Sequence, residues 1–347
     1  MAKSSDSRPA VSVVMPVRNA AATLVEAIDS LRAQDFRDLE IVLVDHDSSD
    51  ESPAMMDKAA QQDARIRVFR GKGTFVEAAN LAWRQARGAL IARMDSDDVA
   101  REDRIGCQVE YLEGRPDLAA CGTLVNILKR TPGGDTAPAD GGYRRYETWI
   151  NSIVEPAEIA AQRFVDSPLP NPSTMIRRSA LEAVGGYRDP AWAEDYDLWL
   201  RLLEAGYRLG KVPLRLLDWY DGESRATRRL ERYSASRFQE AKAHYLSRMP
   251  RVKESGVAIC GAGPIGKRMA SLLKRNGVTV HAFAEVNERQ IGNRIAGTPV
   301  VGSGGLVAYR EKAVVLGAVG QPGGRRRVAQ LAQSFGFVEG LDFFSVA

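Results

Sequence analysis

The apolar positions of this chain alternate between two periods. Residues 11–17, VSVVMPV, form an apolar, β-branched run, and the stretch after it puts Leu24, Ile28 and Leu31 on one face of a helix. The alternation continues with strands expected at LEIVLVD (39–45), RIRVFR (65–70) and LIARMD (90–95), a helix starting at Ser52-Pro53 and another over about 75–87. Strands separated by helices of this length imply a parallel sheet. A second such region runs from Gly256 to the end: GVAICGAG, a helix to about Gly277, VTVHAFAE, AVVLGAVG and a last helix after Pro322. Between them TPGGDTAPADGG (131–142) reads as a loop on composition alone, and no internal repeat is found.

Residues 225–253 carry nine Arg/Lys against two Glu, while Leu230, Tyr233, Phe238, Ala241, Tyr245 and Met249 recur at roughly helical spacing. The simpler reading is a linker helix with a solvated basic face. The sharper one is a surface that meets anionic lipid or a phosphate-bearing substrate.

Composition narrows the class. At 347 residues the chain has room for about two domains, and 44% hydrophobic with 27% charged residues is ordinary for a globular protein. A net charge of +4 does not point to nucleic acid. Cys107, Cys121 and Cys260 have no paired spacing, so reduced thiols and a cytoplasmic setting are expected. His46, His244 and His281 lie far apart, which argues against a zinc cluster. The start has no signal-peptide core, and no apolar run approaches the ~20 residues of a membrane helix, so any membrane contact is expected to be peripheral, at the inner face.

The candidate chemistry is acidic. Ligands of an open parallel sheet bind outside the carboxyl ends of its strands. Asp45 ends the second strand and opens DHDSSD (45–50); Asp95 ends the fourth and opens DSDD (95–98). Carboxylates gathered at such an edge repel unless a cation joins them, and Mg²⁺ or Mn²⁺ takes oxygen ligands from carboxylates and substrate phosphates. Helix capping explains DSSD before Pro53 equally well; four acids-and-serine in a row exceed what a cap requires. A third cluster, AEDYDLWLRLLEAG (193–206), puts Glu194, Asp195 and Asp197 at the first turn of a helix with Leu198, Leu202 and Trp199 on its buried stripe. Dipole compensation needs only one acid, so the cluster suggests a general base on a rigid element.

Five blocks in order, SVVMPVRNAAATLVEAIDSLRAQDF, IVLVDHDSSDES, GALIARMDSDD, NPSTMIRRSALEAVGGY and AEDYDLWLRLLEAGY, resemble the signature of family 2 glycosyltransferases over residues 10–225. The resemblance implies a GT-A type nucleotide-sugar-binding α/β sheet and inverting transfer from a nucleotide-sugar to the hydroxyl of a saccharide, lipid-linked or protein acceptor, as in polysaccharide or glycoconjugate assembly at the cell envelope. Position by position, it implies that Asp45 shapes the nucleotide pocket, and that Asp95 and Asp97 are the D-x-D motif around Ser96, with Asp97 the direct metal ligand. Asp195 is implied as the base; Asn80, Pro16, Arg18 and Asn19 as lining the nucleotide site. Arg225, read from its basic setting and not from the resemblance, is expected to lend charge to the diphosphate, against the simpler reading of a solvated surface. Many members carry a second acid where this chain has His46. A neutral imidazole offers one acceptor, so uridine stays open as the base.

The last region, 255–347 after a basic linker 226–254, resembles small Rossmann-like modules beside sugar-processing enzymes. ICGAGPIG (259–266) carries G-x-G-x-x-G, and Glu285 stands where an acid would bind a ribose hydroxyl. No substrate-binding half follows, and His281 falls within a strand, so an accessory module, binding a nucleotide-like ligand or a partner or joining subunits of a homo-oligomer, is expected. The competing readings are an NAD-dependent sugar-nucleotide oxidoreductase built on this module, and a non-catalytic nucleotide-binding scaffold.

Overall fold

The structure, a computed structural model, describes residues 8–130, 135–222, 230–321 and 323–347. It divides into two units. The first comprises Met1–Pro156, Leu169–Asp189 and Asp197–Arg228; the second comprises Ala157–Pro168, Pro190–Tyr196 and Arg229–Ala347.

The first unit opens with Val11–Val17 (β1), Leu24–Arg32 (α1), Leu39–His46 (β2), Ser52–Gln62 (α2), Ile66–Gly71 (β3), Phe75–Gln85 (α3) and Leu90–Arg93 (β4). Every residue of β1 and β2 is buried, as expected of parallel strands covered on both faces. Then come Val99–Ala100 (β5), Arg104–Glu113 (α4), Leu118–Arg130 (β6), Thr136–Pro138 (β7), Gly141–Ile150 (α5), Pro156–Ala161 (α6), Met175–Arg177 (β8), Arg178–Ala183 (α7), Glu194–Glu204 (α8) and Arg208–Asp221 (β9); of these, Ala157–Ala161 of α6 and Glu194–Tyr196 of α8 fall in the second unit. The sheet order is β3-β2-β1-β4-β8-β6-β9-β5, with β7 on β6. Its first four strands are parallel, and β8 and β5 run antiparallel to their neighbours. The strand order therefore reverses between β1 and β4, which places the ligand crevice outside their carboxyl ends.

Part of the stretch read as a loop is ordered differently. Thr136–Pro138 pairs antiparallel with β6, because an edge strand needs backbone hydrogen bonds rather than apolar side chains, and α5 begins at Gly141. Residues 131–134 lie outside the described residues.

The second unit carries Ala235–Arg248 (α9), Pro250–Ser255 (α10), Val257–Cys260 (β10), Pro264–Arg275 (α11), Val280–Glu285 (β11), Arg294–Ile295 (β12), Thr298–Gly302 (β13), Val314–Gly317 (β14), Gly324–Ser334 (α12) and Phe343–Ser345 (β15). Its order is β12-β13-β11-β10-β14-β15, parallel except for β12. This is the 3-2-1-4-5 order of a Rossmann-like half. Ala258, Cys260, Val315, Phe337 and Phe343 lie in its core.

The described part of the basic stretch, 230–254, belongs to this unit rather than standing apart as a linker, while Arg248 and Lys253 stay exposed; residues 226–229 lie outside the described residues. Lys242 is buried and donates to the carbonyls of Val165 and Val346 at 2.7 and 3.1 Å. Burial holds its ammonium down to about 8. Arg237 pairs with Glu240 and Glu231, and Arg251 with Asp342. Phe164 meets Phe344 edge-on at 5.6 Å, so segment 157–168 shares a core with the C-terminal strand. Among the described residues no helix is long and apolar enough to cross a membrane.

Candidate functional site

The loops at the carboxyl edge of β1, β2, β3 and β4 are laced together. Asn19, in the left-handed region at φ 49°, donates its N–H to Ser48 Oγ at 3.0 Å and accepts from Ser49 N–H at 2.8 Å. Asn tolerates that conformation better than other side chains with a Cβ. Ala20 and Ala21 donate to Ser52 Oγ and Asp50 Oδ2 at 2.8 and 3.0 Å, and Gly73 donates to Asp47 Oδ2 at 3.0 Å. Thr23 Oγ1 donates to the carbonyl of Ser96 at 2.9 Å. DHDSSD thus does serve as loop and helix-start chemistry: Asp50 and Ser52 hold the β1–α1 turn.

The D-S-D-D loop differs. Asp95, Asp97 and Asp98 can bring one carboxylate oxygen each to within 4.8 Å of one another. Such an all-oxygen donor set fits a hard divalent cation. Asp98 is fully buried and accepts the Tyr220 N–H at 2.9 Å, which seats the loop beside β9. The buried Arg93 places Nη2 2.6 Å from Asp95 and its guanidinium over the Phe75 ring at 5.4 Å. Arg104, fully buried, donates to the Arg93 carbonyl at 2.6 Å and to Gln108 Oε1 at 3.1 Å, and burial lowers it to about 10. Asp98 and the two arginines were not among the site residues expected from sequence. Asp98 was visible as the fourth letter of DSDD; the arginines carried no local signal, since their role depends on burial beneath the loop.

At the end of β2, Asp45 and His46 are 6% and 5% exposed. Asp45 Oδ1 and His46 Nδ1 are both buried without a hydrogen-bond partner among the described residues. The His46 ring meets Phe75 edge-on at 6.2 Å. Burial, then the nearby Arg18, push the imidazole below its ordinary value of 6.5, against Asp45, the Gly73 main chain and Asp47. His46 is therefore neutral at pH 7. Pro16 is buried in β1 opposite Val44, and Arg18 is exposed at the rim. Asn80 is engaged within the protein: it donates to the Tyr187 carbonyl at 2.8 Å and accepts from Tyr187 N–H and Trp83 Nε1 at 3.0 and 2.9 Å. Arg225 lies outside the described residues.

On α8 the three acids separate. Glu194, 2% exposed, accepts the Tyr233 hydroxyl; Asp197, 4% exposed, pairs with Arg201 at 2.6 Å; Asp195 is half-buried. Leu198, Trp199 and Leu202 are fully buried, as the stripe requires.

In the second unit the glycines of G-x-G-x-x-G are not equivalent. Gly261 adopts φ +102° and Gly266 lies so close that a Cβ would collide with the Gly261 carbonyl, while a Cβ at Gly263 would meet nothing within 4 Å. Glu285 Oε1 accepts the Ala262 N–H at 2.7 Å, tying the acid to the turn. His281 Nε2 lies 2.8 Å from the Ser255 carbonyl and its ring packs by Tyr309, a packing role as expected.

The fold and site define an α/β protein with a mixed sheet and acidic groups outside the carboxyl ends of its parallel strands. The family model Glycosyl transferase family 2 matches residues 12–185, and the chain belongs to that family of enzymes. It is 31% identical over 209 residues to the putative glycosyltransferase EpsE of Bacillus subtilis, covering 58% of this chain and 70% of that protein. It is 28% identical over 203 residues to an uncharacterized glycosyltransferase of Haemophilus influenzae, covering 57% of this chain and 61% of that protein. It is 26% identical over 232 residues to an Escherichia coli UDP-Gal:alpha-D-GlcNAc-diphosphoundecaprenol beta-1,3-galactosyltransferase, covering 65% and 79%. In fold it resembles residues 1–349 of Staphylococcus aureus TarS, solved with UDP-GlcNAc, with a TM-score of 0.53 at 15% identity over 76% of this chain and 72% of that one.

Proposed function

We propose that this chain is an inverting, divalent-metal-dependent glycosyltransferase that moves a sugar from a nucleotide-sugar donor to an acceptor hydroxyl in polysaccharide or glycoconjugate assembly. The observation that carries this reading is the convergence of Asp95, Asp97 and Asp98 at the end of β4. These residues would hold Mg²⁺ or Mn²⁺, which when bound supplies Lewis-acid stabilisation to the departing diphosphate. Arg93 offsets part of the loop's negative charge at Asp95. Asp45 and His46 present unsatisfied buried polar atoms to the nucleobase. Asp195 accepts the proton of the acceptor hydroxyl as its oxygen bonds to the anomeric carbon and the bond to the diphosphate breaks. At a reference pKa of about 3.9 an Asp is ionised but weakly basic, so the proton leaves late in the displacement.

The second unit we take as an accessory module. The open space beside Gly263 at the start of α11 suits a nucleotide-like ligand, but Glu285 already serves the Ala262 N–H. A thermal-shift panel of UDP-, GDP-, dTDP- and CDP-sugars with and without Mn²⁺ tests the main reading. One donor class should stabilise the protein only with metal; stabilisation by NAD⁺ alone would favour the oxidoreductase instead.

A further inference from the structure

Both neighbours of Asp195 are anchored within the second unit. Glu194 accepts the Tyr233 hydroxyl at 2.8 and 2.9 Å on its two oxygens, with Arg232 Nη1 3.8 Å away. On the other side the fully buried Tyr196 donates its hydroxyl to the Arg163 carbonyl at 2.7 Å, and its ring stacks on Phe238 at 5.1 Å and 16°. Asp195 itself accepts the Tyr196 N–H at 2.7 Å. Tyr233 and Phe238 come from one short stretch, the turn Glu231–Tyr233 and the start of α9, where Ser234 caps the helix by accepting the Arg237 N–H at 3.3 Å.

This arrangement is more than helix capping requires. A carboxylate as buried as Glu194 is tolerated only when paired and hydrogen-bonded. Burial and the adjoining acids raise the Tyr233 phenol, so it stays a donor throughout the working pH range. A base must stand within about 2.6–3.2 Å, heavy atom to heavy atom, of the hydroxyl it deprotonates, and a misplacement of about 1 Å can cost roughly 10²-fold.

We infer that Tyr233 and Phe238 are positioning residues of the transfer reaction, clamping the turn that presents Asp195. The inference rests on the reading of Asp195 as the base. It gives the 230–238 stretch, basic and aromatic in sequence, a task other than linking or meeting lipid.

The test is a double-mutant cycle in the full-length protein, with Mn²⁺ and the donor selected by the thermal-shift panel, reading nucleotide release. Tyr233→Phe keeps the ring and removes the donor. It should lower kcat about 10- to 100-fold while the donor Kd stays put; the Tm falls as the buried Glu194 loses a hydrogen-bond partner, so kcat is compared well below the variant's Tm. In an Asp195→Asn background the same change should cost less than about twofold, because a positioning residue has nothing left to position. Phe238→Ala should lower kcat similarly and Phe238→Tyr should restore it, which covers the case of a Tyr233 variant that fails to fold. A Tyr233→Phe kcat within twofold of wild type, or losses that multiply in the double variant, would overturn the inference. The function itself is read separately: it fails if the wild type releases no nucleotide, or if Asp195→Asn is fully active.

Discussion

The most direct probe of the donor pocket is His46→Phe. His46 is 5% exposed, and its Nδ1 is buried without a hydrogen-bond partner among the described residues. Leaving such an atom unpaired costs about 1–3 kcal/mol, while the ring's bond to the Gly73 main chain contributes about 0.5–1.5 kcal/mol. Replacing the imidazole with a phenyl ring removes both, so at pH 7.5 the ligand-free protein should be unchanged or up to about 2 kcal/mol more stable. Nucleotide affinity should move the other way. If the orphan nitrogen serves the base, losing it weakens binding by about 1–2 kcal/mol, a factor of about 5–30 in Kd.

The same variant carries a pH signature. The folded pKa of His46 lies below 6.5, so as pH falls through 6.5 the unfolded chain takes up the proton first and the folded state loses stability until its own lower pKa is passed. His46→Phe should abolish this part of the slope. Calorimetric Tm between pH 5 and 8, with titration of UDP, GDP, dTDP and CDP in Mn²⁺, measures all three effects. A variant that is clearly less stable at pH 7.5 yet binds every nucleotide as tightly as wild type would refute the reasoning, and His46 would be a packing residue.

Asp97→Asn should abolish transfer and remove metal-dependent nucleotide binding; full turnover in excess EDTA would sink the metal role. Asp195→Asn is nearly isosteric but a poor proton acceptor, so kcat should fall about 10²–10⁴-fold with donor affinity intact; loss of donor binding would make it a structural cap. In the second unit, Gly266→Ala should destabilise by roughly 3 kcal/mol or more, since its Cβ collides with the Gly261 carbonyl. Gly263→Ala, with extended backbone and open space, should change stability by less than about 1 kcal/mol in chemical unfolding. Equal costs at the two glycines would mean the turn is built otherwise.

Much of this protein is written locally. The runs at 11–17 and 39–45 are strands because apolar β-branched residues buried on both faces need no partner knowledge to be recognised, and DSDD announced an acid cluster because like charges in succession demand a cation or a cap. The spacing of Gly261, Gly263 and Gly266 likewise carried its own turn. What only the tertiary structure decided depends on burial and on residues distant in sequence. It distinguishes Glu194, given to Tyr233, from Asp195 one residue on, and brings Asp98 to the Tyr220 N–H. It puts Arg104 beneath the acidic loop and Lys242 in a core, where a cationic side chain read as solvated reaches two carbonyls instead. A charge is exposed by default in sequence. Only packing reveals where backbone carbonyls stand ready to receive it, as those of Val165 and Val346 do for Lys242.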